Sequence, residues 1–351
     1  MFRKFFLKSI IFCVITSSIV FGISYWVDTF NIFHWKNIRF TSAEPNKNYI
    51  KTQYILHNPD LFNAFVFGSS RVGNLPQNGL PESLSGEKLR WYNMTHSVGL
   101  PAEHLLTLKT FLAHGVDVKV IFLGFDDILM INSPESHRKE LLRLPYQVYE
   151  ESKWNFYKPY LKKLPAFSLI KEIAAYKTSE HQDDTELFYS YGTLKEDFSL
   201  TEDSQLENYP SAHKSVTGYT QTNAYQDIFS IAQLCADYGI TLILFTNPLY
   251  STTYRDAVDD GYLSVLQKVG ESVTFYNFSS LNAYTQNPQY FFEGAHYRPA
   301  LGLLMEKMVF GTEEERAEIR RKAGDELFGV KVTPQNVDEI VRGLQNQIQS
   351  Q

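Results

Sequence analysis

Two cysteines in 351 residues leave no material for a disulfide framework, and neither Cys13, inside an apolar run, nor Cys235 has the spaced partners of a zinc ribbon. Basic surplus is missing too: 33 Lys+Arg stand against 39 Asp+Glu, a net charge of -6, so a phosphate backbone would find little to neutralise it and nucleic acid is not expected as a partner. No Gly-x-Gly-x-x-Gly or Gly-x-x-x-x-Gly-Lys-Ser/Thr run follows any apolar segment, which argues against a nucleotide-binding protein. No internal repeat is visible. What the chain does have is 44% hydrophobic residues, enough for a sizeable core, and 15% aromatics, with 22 Tyr and 26 Phe.

Charge is also missing locally. From Ser9 to Val27 no charged residue occurs, a length that crosses most of a bilayer if helical. Arg3, Lys4 and Lys8 precede the run and Asp28 follows it, so the positive-inside bias puts the amino terminus in the cytoplasm and the body outside, periplasmic or on the cell-wall side. Tyr25 and Trp26 fall where an aromatic belt meets the outer interface. A cleaved signal peptide competes with a retained anchor, because Gly22-x-Ser24 is a small-x-small pair, but the sequence continues as Tyr-Trp-Val and does not turn polar.

Beyond the anchor, five short apolar runs read as buried strands: Asn63 to Phe67, Leu89 to Met94, Val118 to Phe125, Ile240 to Thr246 and Val273 to Phe278. Helical patterns lie between them. Pro101 to His114 places Leu105, Leu108 and Leu112 on one face and stops at Gly115; Tyr225 to Tyr238 does the same with Ile228, Ile231, Ala232 and Cys235 before Gly239. Such alternation predicts an α/β fold, an open parallel five-stranded sheet with helices on both faces, whose ligands bind beyond the carboxyl ends of the strands. The expected organisation is a cytoplasmic terminus and membrane helix over 1–28, a connector over 29–60, the α/β domain over 61–311, and a charged helical tail over 312–351. An insertion at about 131–222, with helical stretches Val148 to Tyr160 and Leu169 to Lys177 and a polar run Thr178 to Thr185, reads as a lid over the carboxyl edge or a plain decoration. The tail carries a last amphipathic helix on Val337, Ile340, Val341 and Leu344 after Thr333 and Pro334.

Two segments carry candidate chemistry. Phe67-Gly68-Ser69-Ser70-Arg71 ends the first strand, where a sharp turn can expose a serine hydroxyl and free backbone N–H groups for an oxyanion. Glu293-Gly294-Ala295-His296 precedes the helical run Ala300 to Val309, and a carboxylate three residues before a histidine can fix its tautomer. Capping turns explain either segment alone. A di-iron reading of Glu-x-x-His fails, since the spacing occurs once and Gly294 and Pro299 interrupt any helix carrying it; no metal or other cofactor is expected.

Together these segments resemble the SGNH, or GDSL-like, hydrolase superfamily. Gly68-Ser69-Ser70 is similar to its first block, Glu293-Gly294-Ala295-His296 to its last, and Gly99 to the glycine of its second. The resemblance implies a flavodoxin-like three-layer sandwich with Ser70 as nucleophile, His296 as base, Glu293 as its orienting acid, and an oxyanion hole from the N–H groups of Ser70 and Gly99. The third block departs from the pattern, because Gly124-Phe125-Asp126-Asp127 has Asp126 where the family has asparagine, and an ionised carboxylate cannot donate to an oxyanion, so the hole rests on Ser70 and Gly99 unless burial keeps Asp126 protonated. Tethered relatives with a Gly-Ser-Ser block look like proteins that acylate cell-envelope polymers, of the teichoic-acid D-alanylation and alginate-acetylation types. That implies a serine acyltransferase or esterase acting on an envelope polysaccharide or polymer, with a multi-pass membrane acyltransferase as upstream donor. The alternative is a subunit that kept the fold for binding or assembly and lost the chemistry.

Overall fold

The computed structural model describes residues 2–149, 152–175, 182–193, 198–200, 208–214 and 222–350. Its central element is a six-stranded sheet. In chain order the strands are β1 (Ala64–Phe67), β4 (Trp91–Asn93), β5 (Val120–Phe125), β6 (Thr241–Thr246), β7 (Phe275–Asn277) and β8 (Val330–Val332), while β2 (Ser83–Leu84) and β3 (Glu87–Lys88) form a separate small hairpin. The sheet order is β4-β1-β5-β6-β7-β8. The first five pair in parallel, and all five coincide with apolar runs of the sequence. The expected count of five is corrected to six by β8, which pairs antiparallel with β7 at the edge.

Buried strands alternate their side chains between two faces. Phe65, Phe67, Ile121 and Leu123 enter a core shared with the helices Pro101–Ala113, Thr222–Asp237 and Tyr262–Gly270, whereas Ala64, Val66, Val120 and Phe122 pack against Leu301, Met305 and Met308 of the helix Pro299–Phe310. Full burial of each large apolar side chain is worth about 1.5–3 kcal/mol, so these two faces dominate the stability of the layer. Pro101 and Pro299 each open a helix at its first position, and Gly115 and Gly239 follow their helices with φ of +76° and +67°. The 312–351 segment belongs to the same core. It supplies β8 and a closing helix, Val337–Gln349, whose Val337, Ile340 and Leu344 are buried.

The amino-terminal helix, Phe2–Val27, is long and apolar enough to cross a membrane, and no part of its apolar window is buried inside the protein. Its last turn is fixed to the body. Arg39 donates to the carbonyls of Trp26 and Val27 at 2.9 and 2.8 Å, satisfying acceptors that a helix end leaves open, and the Asp28 carboxylate accepts the N–H groups of Ile32, Phe33 and His34 in the loop that follows. The connector is more ordered than its composition suggests. It holds the helix Lys47–His57, and Ile32, Tyr49 and Ile50 share a small aromatic core with Phe156, Tyr160 and Phe188 of the insertion. The insertion's helices Lys153–Lys162 and Phe167–Ala175 thus pack on the connector and the amino-terminal helix. Of the lid expectation, the start of the polar run at 178–181 and segments 194–197, 201–207 and 215–221 lie outside the described residues.

Candidate active site

Read along the sheet, the parallel strands come second, first, third, fourth, fifth, so the direction of winding reverses between β1 and β5. The crevice at that reversal is where β1 ends in Gly68. Its φ of +149° lies outside the range of L side chains, and a Cβ there would fall 2.4 Å from Val72 Cγ2. The sharp turn that glycine permits puts Ser69 inward and Ser70 at the mouth. Ser69 is buried, and its hydroxyl accepts the Arg71 N–H at 3.3 Å. Val72 and Gly73 donate back to the carbonyls of Ser69 and Ser70, both at 3.1 Å, so the turn is closed by its own backbone.

Across the crevice, the Glu293-to-His296 turn comes just before the helix Pro299–Phe310. It is held by the bridge between Phe291 and Tyr297, by Phe292 N–H on the His296 carbonyl at 2.9 Å, and by the Asn74 amide on the Tyr297 carbonyl at 2.9 Å. This brings residues 226 positions apart into contact: Ser70 Oγ and His296 Nε2 are 2.8 Å apart. His296 Nδ1 bonds to the Glu293 carboxylate, which also accepts the His296 backbone N–H at 2.8 Å. A carboxylate can only accept, so Nδ1 carries the proton and Nε2 presents its lone pair to the serine. Partial burial raises the Glu293 carboxyl, but the hydrogen bond and charge of His296 and the N–H groups of the turn outweigh it and hold it below its ordinary value.

The expected oxyanion donors do not all converge. Among the described residues the Ser70 N–H carries no internal hydrogen bond. Gly99's N–H donates to the His96 carbonyl at 3.1 Å, and the glycine serves close packing instead, since a Cβ would lie 2.6 Å from the Gly68 carbonyl oxygen. Asp126 is buried and accepts on both oxygens, from Ile128 N–H at 2.9 Å and the Asn247 amide at 2.7 Å, with Arg71 at 3.1 Å. It is part of an ion network and donates nothing to an oxyanion.

That network is a feature the sequence did not announce. Arg71 is 4% exposed and pairs through one nitrogen with Asp126 and Asp127, while His213 bridges Asp127 at 2.7 Å and Asp260 at 3.1 Å. Burial works against the Arg71 charge, but Asp126 and Asp127 more than offset it. Burial pushes the Asp126 carboxyl up; Asp127 is held down, because Arg71 and His213 together outweigh its burial. His213 is raised, chiefly by its bond to Asp127 and secondarily by Asp260. Segment 208–214 also clamps the Glu293-to-His296 turn: Ala212 N–H donates to Thr253 Oγ1 at 2.9 Å, and that hydroxyl donates to the Gly294 carbonyl at 2.6 Å.

A pH dependence follows. Because the folded pKa of His213 lies above its unfolded value, its contribution is fully present below about pH 6.5 and is lost as pH rises through the raised folded value. Unfolding free energy measured against pH should therefore decline over that window, and His213→Gln should flatten the decline; an unchanged profile in the variant would remove His213 as its source.

Comparison with family models and with curated proteins finds no match to this chain. Beside Ser70 opens a pocket of about 230 Å³ lined by Lys51, Asn74, Thr95, Ser97 and Thr193 among others. The loop over Thr95 to Leu100 that forms one wall is braced by Glu103, whose carboxylate takes His96 Nε2 at 3.0 Å, His137 Nδ1 at 2.7 Å and Leu100 N–H at 3.1 Å. Burial raises the Glu103 carboxyl, but His137 and His96, by hydrogen bond and by charge, outweigh it and hold it down at about 2. Sequence reasoning passed over Lys51, Thr95 and Ser97 as site residues.

Proposed function

We propose that the protein is a membrane-anchored serine acyltransferase or esterase of SGNH type that works through an acyl-enzyme on Ser70. The observation that carries this is the hydrogen-bonded relay Ser70–His296–Glu293 at the strand-order reversal. Ser70 Oγ attacks an ester carbonyl while His296 Nε2 takes its proton, and Glu293 stabilises the imidazolium. The proton then passes from Nε2 to the departing alkoxide, leaving an acyl-Ser70 ester. An acceptor hydroxyl reverses these steps, giving its proton to Nε2 and taking the acyl group; water in its place gives hydrolysis. The Ser70 N–H supports the tetrahedral oxyanion.

Retention of the anchor is supported by how its end is built into the body. Ser24 Oγ donates to the Lys163 carbonyl at 3.1 Å and Ile23 packs against Val27, Leu169 and Ile173, so cutting after Ser24 would remove contacts that the helix makes with the body. The segment over 153–171 that receives it exposes Trp154, Leu164 and Phe167 together with Lys153, Lys158, Lys162, Lys163 and Lys171, a composition suited to lipid headgroups. A tether of this kind raises the effective concentration of the site toward substrates at the outer face, which favours envelope polymers as acceptors and transfer over hydrolysis.

The commitment of Gly99's N–H and of Asp126 favours a second reading, a subunit that binds or assembles without catalysis. A fluorophosphonate probe on the full-length protein separates the two, with labelling at Ser70 expected. In cells lacking the protein, envelope acyl content should fall and return only with wild type, not with Ser70→Ala. A rise on deletion would mean an esterase, and absence of both labelling and any acyl change would leave the binding subunit.

A further inference from the structure

Lys51 is the most unusual side chain near the site. It sits on the helix Lys47–His57, is 2% exposed, and sends Nζ inward to the carbonyls of Asn93 at 2.8 Å and Thr95 at 2.6 Å, with the Phe188 ring 5.9 Å away. An ammonium has three N–H groups, and two of them are used by those carbonyls. The side chain lines the same pocket as Ser70, and among the described residues no carboxylate lines it. Lys47, also on its wall, is already paired with Glu44 at 3.1 Å. Burying an ammonium against carbonyl dipoles alone is costly, and an apolar side chain of similar length would fill the space without that penalty. Burial and the Lys47 charge accordingly push Lys51 well below its ordinary value, with Glu44 opposing. An anion beside Lys51 would favour its charged form against that burial, and with no carboxylate lining the pocket among the described residues the site, beside the proposed nucleophile, is suited to a negative ligand group.

We propose that this pocket is a subsite for an oxyanion group, a carboxylate or phosphate, on the molecule that gives its acyl group to Ser70 or receives it, with Lys51 as the charged contact. The proposal rests on Ser70 being the nucleophile. Bound there, the oxyanion takes the remaining N–H of Lys51 and supplies the missing counter-charge, while the hydroxyls of Ser97 and Thr193 on the same wall offer neutral hydrogen bonds, the Thr95 hydroxyl being already given to Asn93 Oδ1 at 2.5 Å.

The test is calorimetry on the full-length protein in dodecyl maltoside with inorganic phosphate, glutarate and neutral glutaramide. Wild type should bind one or both anions at least about tenfold more tightly than glutaramide, and Lys51→Met should lose that discrimination. The proposal is overturned if neither phosphate nor glutarate binds better than glutaramide, or if the Lys51→Met protein discriminates like wild type. If Lys51→Met does not fold, the wild-type comparison still decides, joined by whether the bound anion slows fluorophosphonate labelling of Ser70. The two readings fail separately: labelling without anion preference sinks the subsite alone, and anion preference without labelling sinks the nucleophile alone.

Discussion

Replacing Ser70 with alanine should abolish fluorophosphonate labelling and lower ester turnover or acyl transfer by ~10⁴-fold or more, with no loss of thermal stability. The hydroxyl bonds to His296 Nε2, so its removal takes away the proposed nucleophile and leaves the turn's backbone bonds in place. His296→Gln should fall by a similar factor, since glutamine keeps a polar side chain but accepts no proton. Glu293→Gln should fall less, by ~10²–10⁴, because an amide still accepts from Nδ1–H but brings no charge to the imidazolium. Ser69→Ala is the control for register: it loses one bond of 3.3 Å from the Arg71 N–H, so activity should stay within a few-fold of wild type, roughly. A protein in which Ser69→Ala is inactive and Ser70→Ala is not would place the nucleophile one residue earlier and undo the assignment.

The parts of this site written in the sequence are those whose chemistry is local. Gly68-Ser69-Ser70 and Glu293-to-His296 each occupy a few residues at the edge of a recognisable element, and the parallel strands around them are continuous apolar runs because both faces are covered. β8 escaped notice because Val330-Lys331-Val332 is too short for alternation to stand out and lies on the sheet's edge in a charged segment. Lys51 escaped for another reason. The run Lys-Asn-Tyr-Ile-Lys looks like a solvated helix start, and only tertiary packing turns the second lysine inward. Gly99 and Asp126 occupy positions at strand ends where an oxyanion hole would be sought, but a sequence does not say which way an N–H points or what a carboxylate has already accepted. The Arg71, Asp126, Asp127 and His213 cluster joins residues far apart along the chain, and its one local sign was an Asp-Asp pair closing an apolar strand, a costly place for two charges unless a cation waits there.

Arg71 is that cation, and Arg71→Met should destabilise the protein by about 3–5 kcal/mol, read from denaturant unfolding in detergent. The substitution keeps most of the volume but leaves the buried carboxylates of Asp126 and Asp127 facing each other with His213 as the remaining buried partner able to carry charge. The sign of the pH response is fixed by this. Carboxylates stripped of their guanidinium have folded pKa values raised above the unfolded ones, so the folded variant binds protons more readily and its deficit should narrow as pH falls. Adding Asp127→Asn to Arg71→Met removes one of the stranded charges, and the double variant should be more stable than the single one, a coupling expected for groups in direct contact. Activity should suffer as well, because the Arg71 backbone is part of the turn that presents Ser70 and its guanidinium acts electrostatically on Glu293. A cost below about 1 kcal/mol, or a double variant weaker than the sum of its parts, would mean that water reaches these carboxylates and that the cluster does not hold the nucleophile's turn in place.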